Sequence, residues 1–308
     1  MQIGWREFIN DRFKKASKFH SVGIEFGVSQ FQIATLAKTK GQLSWVKQHS
    51  TTIDNWQSKL KSYVIENQLG NTQCNIALSI SKYQLFQLDR PEVKDEELNQ
   101  ALQWAAKEHL STDEQHVIDY FDLPVVTSNV KKLNVVAIKT QDILDIRDGI
   151  LGAGLMLNMI GIEELANCNL LPENDEAVIT LKQDESGQLS LNIVKQNKLF
   201  FSRRLRGYEN LANLSPEELK MGVVDNLSLE IQRSMDYFES QLRQAPVKKV
   251  YLSIDTPHQV PLAEFIKDVL FVTVESFVPN IAKDSSMPIK PSSIASLGAA
   301  IDSTSLIA

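Results

Sequence analysis

Apolar and polar positions alternate through two early stretches, residues 22–26 and 31–37, on either side of a turn at Gly27. In the second stretch Phe31, Ile33 and Thr35 alternate with Gln32 and Ala34, the period of a strand with at least one apolar face. Glycine is the residue that tolerates a left-handed backbone without cost, so the pattern predicts a hairpin with Gly27 in that conformation. A third strand is expected at 43–49, then a helix capped by Asp54 with Trp56, Leu60, Tyr63 and Val64 on one side, then a strand at 75–80. The same order returns at 177–182, 189–195 and 198–205, followed by a long helix and a strand at 249–254. Asp184-Glu-Ser-Gly187 and Gln196-Asn197 supply the hairpin turns. Corresponding strands begin at 22 and 177, and at 43 and 198, so the two runs share one interval and imply a duplicated lobe, not a solenoid.

The long helix of the second run opens at Ser215-Pro216-Glu217-Glu218, a capping box with proline at the first helical position. Leu219, Val223, Leu227, Ile231, Met235, Phe238 and Leu242 continue it as a core stripe. Between the runs lies a stretch outside both copies. It holds a helix from Asp95, strands at 117–123 and 133–138, a helix from Thr140 closed by Gly152-Ala-Gly154, and a strand at 155–160. The expected organisation is therefore an amphipathic helix within 1–20, a first lobe at 21–84, an inserted module at 85–162, a return to the first lobe at 163–176, a second lobe at 177–301 with a small-residue helix at 292–301, and a tail at 302–308.

At 308 residues and 43% hydrophobic content the chain can bury a large core, and its length suggests about two domains. A net charge of -6 supplies no basic field, which disfavours nucleic acid as a partner. Cys74 and Cys168 lie in apolar stretches without zinc or disulfide spacing and read as buried small hydrophobes in a reducing compartment. The longest apolar run, 150–162, is too short and too broken by glycine to span a bilayer, and no apolar segment follows the basic N-terminus as a secretory signal requires; a cytoplasmic location is expected. Trp5, Phe8, Ile9, Phe13 and Ala16 stand at helical spacing among basic residues, so residues 3–19 suit either an anionic membrane surface or the chain's own sheet.

The polar turn after Glu25 can cradle a phosphate with its backbone amides or be an ordinary hairpin. Five scattered histidines form no metal motif. Gly27-Val-Ser29-Gln-Phe31 lacks the final glycine and following helix of a nucleophile elbow. Asp95-Glu96-Glu97 sits at a helix start, where acids stabilise the dipole. Arg203-Arg204-Leu205-Arg206 either grips a phosphate or acidic peptide or forms a solvated strand edge.

Two such lobes with a small insertion resemble the actin-like ATPase fold, an α/β architecture of two duplicated βββαβ lobes (RNase H-like) with an inserted α+β module. Gly23-Ile-Glu-Phe-Gly-Val-Ser-Gln-Phe-Gln-Ile33 is similar to the first phosphate loop of the PilM family of type IV pilus assembly proteins. Leu102-Gln-Trp-Ala-Ala-Lys-Glu108 with Asp119-Tyr120, Gly154 to Glu163, and Leu229 to Tyr237 resemble that family too, with the nearest likeness to its branch serving mannose-sensitive haemagglutinin pili. The nucleotide elements depart from the family. Glu25, Gly27 and Ser29 remain in the first loop, but Gln32 stands in place of a lysine, Thr180-Leu181-Lys182 in place of Asp-x-Gly, and Ser253-Ile-Asp-Thr-Pro257 in place of a Gly-Gly pair. Because magnesium-nucleotide sites assemble lysine, carboxylate and amides around one phosphate chain, these losses lead us to expect neither catalysis nor a bound metal or cofactor.

The resemblance implies a scaffold at the inner membrane that binds the cytoplasmic tail of a PilN-like membrane protein between the first lobe and the module, with Leu133, Val135, Val136 and Ile138 as groove residues. Peripheral membrane contact through 3–19 is a further possibility. The alternatives are an active ATPase with bound ATP and magnesium, and a type II secretion protein of similar fold, although such chains normally continue into a membrane span and this sequence stops at Ala308.

Overall fold

A computed structural model describes residues 17–110, 114–125, 131–173 and 175–301. The first lobe begins with β1 (Ser21–Phe26), β2 (Gln30–Thr39), β3 (Gln42–Thr52), α1 (Trp56–Glu66) and β4 (Gln73–Leu78). A module follows: β5 (Tyr83–Asp89), α2 (Asp95–Lys107), β6 (His116–Asp122) and β7 (Lys132–Lys139). The chain then forms α3 (Thr140–Gly152), β8 (Met156–Ile162) and α4 (Glu163–Cys168). The second lobe comprises β9 (Val178–Gln183), β10 (Leu189–Lys195), β11 (Lys198–Leu205), α5 (Val224–Ser240), β12 (Lys249–Ser253), α6 (Gln259–Leu270) and β13 (Thr273–Ser276). A short β14 (Ala282–Lys283) and α7 (Ile294–Ala300) complete the described chain.

The sheets run in the order β14-β3-β2-β1-β4-β8 and β11-β10-β9-β12-β13, with the module sheet ordered β5-β7-β6. In both large sheets three antiparallel strands are extended by parallel strands beyond the first, β4 and β8 in one and β12 and β13 in the other. The repeated unit is thus one helix and one strand longer than the periodicity implies.

That extension corrects the expected boundaries. Residues 156–162 belong to the first sheet, where β8 lies parallel to β4, and α3 packs on α1 with the Trp56 ring against Gly149. The module sheet spans only 83–139. At the other end β14 pairs with β3 and α7 lies on β1, so 282–301 return to the first lobe and do not extend the second. A parallel pairing joins distant segments and leaves no local turn signal, so single-strand patterning cannot assign the partner. The helix expected at 3–19 and the tail at 302–308 lie outside the described residues, except that 17–19 are described and are not helical.

Local chemistry also differs from expectation at the helix starts. Asn55, in the left-handed region, precedes α1, while Asp54 pairs with Lys59 at 2.9 Å. Lys139 precedes α3, and no side chain caps that helix. Ser215 and Glu218 do form the capping box, but the long helix breaks at Gly222, whose φ is 93°. The expected stripe is otherwise buried as read, from Leu219 through Leu227, Ile231, Met235 and Phe238 to Leu242; only at the break is Val223 half-buried, with Val224 buried beside it.

Every residue of β1 is buried. Val22, Ile24 and Phe26 face Leu60 and Val64 of α1 and Ile146 and Ile150 of α3. On the opposite face α7 lies directly on the strand: a Cβ at Gly23 would sit 1.9 Å from the Ser296 carbonyl oxygen and 2.4 Å from the Ala300 nitrogen. Ala77, Ala166, Ala295 and Ala299 complete this small-residue contact. Overlap with backbone cannot be relieved by a rotamer change, so Gly23→Ala is expected to cost about 3 kcal/mol in urea unfolding. Gly152→Ala, with open space at its Cβ, is expected to be near neutral in the same assay.

Candidate functional site

A cleft of ≈ 570 Å³ separates the two lobes. The ends of β1 and β2 form one wall with Glu25, Gly27, Gln30 and Gln32; the end of β9 and the turn after it form the other with Lys182 to Glu185; Ser253 to Thr256 after β12 close the far side. The central strand of each lobe ends here because the preceding antiparallel hairpins and following parallel strands hold both in register, directing their terminal side chains toward each other.

Lys182 crosses the cleft. Its Nζ donates to Glu25 Oε1 and to Glu163 Oε2, each at 3.0 Å, and side-chain exposure is 13% for the lysine, 11% for Glu25 and 0% for Glu163. Burial pushes the Glu163 carboxyl up to about 8; the Lys182 ammonium opposes this, and nearby Glu25 and Glu164 add to it. Glu163 Oε1 has no hydrogen-bond partner among the described residues, an orphan acceptor that costs less on a neutral group than on a charged one. Burial opposes charge on Lys182 as well, but the two carboxyl groups outweigh it and raise the ammonium's pKa. Beside this bridge the Tyr83 hydroxyl donates to Glu164, whose carboxyl is raised chiefly by burial.

A second link joins the loops. Glu185 Oε1 accepts from the Ser29 amide at 2.7 Å and the Gln30 amide at 3.3 Å, while Oε2 accepts from the Ser29 hydroxyl at 2.7 Å. Gly27 is not left-handed, contrary to the expectation from the hairpin pattern. A Cβ there would lie 2.3 Å from Glu185 Oε1, so a larger residue would displace the end of that side chain.

Of the sequence-predicted residues, Glu25, Gly27 and Gln32 line one cleft wall, and Ser29 stands beside it, bonded to Glu185. Gln32 lies opposite Glu25 in the β1–β2 register, and its Oε1 lacks a partner among the described residues. Two of the three clustered arginines are committed elsewhere: Arg203 pairs with Glu230, and Arg204 donates to the carbonyls of Ile80 and Tyr83, tying β11 to the entrance of the module, while Arg206 is exposed. Leu133, Val135, Val136 and Ile138 do not offer an open edge. All four are buried, and β7 is the central module strand, paired on both sides. Their side chains fill the cores on the two faces of that sheet; the outer edges belong to β5 and β6. Glu163 and Glu185 were missed as site residues. The acidic pair Glu163-Glu164 directly after an apolar strand was the one available signal for the former, whereas Glu185 reads in sequence only as turn chemistry.

No family model matches the sequence, and no curated protein matches it. Solved structures do. The PilM-PilN type IV pilus biogenesis complex aligns over 92% of this chain and 98% of that chain, with a TM-score of 0.70 and 18% identity. The cytoplasmic domain of EpsL, an inner-membrane component of the Vibrio cholerae type II secretion system, aligns over 90% of this chain and 93% of that one, with a TM-score of 0.51 and 10% identity. A Bacteroides thetaiotaomicron protein of unknown function with the actin-like ATPase fold gives a TM-score of 0.50 at 9% identity, over 85% of this chain and 92% of that one. The chain has the actin-like ATPase fold. At these identities the likeness describes architecture alone.

A magnesium nucleotide in an actin-like cleft needs free amides for its phosphates and a carboxylate for the metal side. Here the amides of Ser29 and Gln30 hold Glu185, and Lys182 carries an ammonium at the second-lobe position. Among the described residues no three His, Cys, Asp or Glu side chains are grouped to hold a metal ion. The donor set does not fit the group that the fold implies.

The bridge sets a pH signature. Glu163 keeps a proton in the folded state up to about pH 8 that the unfolded chain releases near pH 4.5, so its contribution falls as pH rises through that window. Glu163→Gln keeps an oxygen for Lys182 and never bears the charge. In urea unfolding it is expected to match the wild type at pH 4, below the window, and to exceed it at pH 8.5. Lys182→Met leaves two carboxyl groups without their cation and is expected to lose roughly 3 kcal/mol at pH 7.5.

Proposed function

We propose that this actin-like chain is a non-catalytic scaffold of type IV pilus biogenesis, of the mannose-sensitive haemagglutinin (MshI) type, acting at the cytoplasmic face of the inner membrane. The observation that carries the non-catalytic part is the Lys182 bridge, which commits the second-lobe cation position to Glu25 and Glu163. The partner class follows from the architectural likeness to the PilM-PilN complex: a PilN-like membrane protein whose cytoplasmic tail docks on this chain. No helix among the described residues is long and apolar enough to cross a membrane, so attachment through a membrane-inserted partner suits what is described.

The docking surface in this reading is the outer edge of β6. In this reading that strand, which pairs only with β7 among the described residues and whose Phe121 packs against the first-lobe core, offers its free edge to the peptide. An extended peptide can pair with such an edge while alternate side chains enter pockets. Val117, 41% exposed on β6, is the apolar contact offered.

A second reading, an ATP-binding ATPase that drives or regulates assembly, retains one observation in its favour, the remaining ≈ 570 Å³ cleft. Calorimetry on one purified sample separates the two. The N-terminal peptide of the neighbouring PilN-like protein is expected to bind with a Kd on the order of micromolar, because ordering the peptide offsets part of the contact energy. Val117→Lys is expected to weaken that binding by about tenfold or more, and magnesium-ATP is expected to give no saturable heat. Tight magnesium-ATP binding, or absence of peptide binding, would reverse the assignment.

A further inference from the structure

We propose that Glu185 is a built-in competitor for the turn at residues 27–30: its tethered carboxylate occupies the donors of that loop, and the chain thereby closes the loop to exogenous oxyanions. Three donors converge on this one group: two successive backbone amides, at 2.7 and 3.3 Å, and the Ser29 hydroxyl, at 2.7 Å. Successive amides aimed at one point form an anion-binding concavity whatever the anion's source. Gly27 supplies the approach, since a Cβ there would lie 2.3 Å from Oε1 and 3.1 Å from Cδ, while its own backbone does not require glycine.

The ligand is positioned independently of its site. Asp184 Oδ1 accepts from the Ser186 amide at 2.9 Å, the Ser186 hydroxyl at 2.7 Å and the Gln188 amide at 2.9 Å, and Gly187 closes the turn with a φ of 84°. The β9–β10 turn therefore projects Glu185 across the cleft as a fixed arm. Partial burial works against the charge on Glu185, but the Ser29 hydroxyl and the amides of Ser29, Gln30 and Val28 outweigh it and hold the carboxyl below its ordinary range.

A tethered ligand acts at high effective concentration, so an exogenous oxyanion must displace it to enter. The clasp excludes phosphate and holds the two lobes together without any nucleotide. It does not rest on the peptide-scaffold reading: failure of peptide binding leaves the clasp untouched, and the tests below use no peptide.

The test is to titrate inorganic pyrophosphate, at constant ionic strength, into the wild type, Glu185→Gln and the double variant Gly27→Ala/Glu185→Gln. Glu185→Gln is expected to bind pyrophosphate at least about tenfold more tightly than the wild type, the tethered competitor having been weakened. The double variant is expected to lose that gain, because the added methyl occupies the anion position. Equal affinity of the wild type and Glu185→Gln, or a gain that survives Gly27→Ala, overturns the proposal. Hydrogen exchange decides the matter without added ligand, and also if Glu185→Gln fails to fold. The Ser29 and Gln30 amides are expected to exchange about tenfold faster in Glu185→Asp, whose shorter arm cannot reach them, than in the wild type; unchanged protection overturns it.

Discussion

The ammonium of Lys182 sits between carboxyl groups that belong to different parts of the chain, Glu25 at the end of β1 and Glu163 at the start of α4. Its surroundings leave little water to replace either partner, so the bridge holds only if all three groups stay where they are. That requirement fixes the end of β9 relative to the end of β1, and therefore one lobe relative to the other. Replacing a buried ion pair by apolar residues is often neutral, whereas removing one member strands a charge; such a cluster therefore contributes more to defining a geometry than to net stability. Arg204, reaching from β11 to the carbonyls of Ile80 and Tyr83, adds a further link on the module side of the same seam.

The bridge is possible because both lobes are variations on one sheet. In each, the first strand is flanked by its hairpin partner and by a parallel strand, which places its C-terminal end at the centre of the cleft. The first lobe differs in what covers its other face. There α7, from the far end of the described chain, comes within backbone contact distance of β1, with Gly23 and a set of alanines permitting the approach. The lobes are consequently joined twice, by the covalent passage through α4 and by the return of α7. An opening motion would have to bend both connections as well as break the bridge.

Much of this was legible in the sequence. Period-2 alternation located the strands of both hairpins, the shared interval between the two runs revealed the duplication, and Glu25, Gly27 and Gln32 do line one cleft, with Ser29 beside it bonded to Glu185. Long-range pairing was not legible. β8 is an apolar strand whose pattern is equally compatible with the module or the first sheet, and α7 consists of small residues whose partner nothing local identifies. The groove residues on β7 illustrate the same limit: their alternation shows a strand, but a central strand and an edge strand differ only in their neighbours. Lys182 was visible as a lost carboxylate, yet its role depends on Glu163, which is close in space only after α4 has turned back to the cleft.

These two departures, a lysine on the second lobe and a glutamate in the turn after it, act in the same direction and reinforce each other. In a cleft that cycles nucleotide, the charges on the two walls must be satisfied by a ligand that leaves, so the lobes remain free to move. Here the positive charge from the second lobe meets carboxyl groups of the first, and the negative charge of Glu185 meets first-lobe donors. Each wall satisfies the other. With complementary groups supplied by the chain itself, these interlobe contacts form without a bound ligand. Under the proposed function, a partner would meet lobes already tied to each other, which lowers the ordering cost of recognition. The same chemistry that argues against turnover therefore supports a role in which constant shape is what the protein contributes.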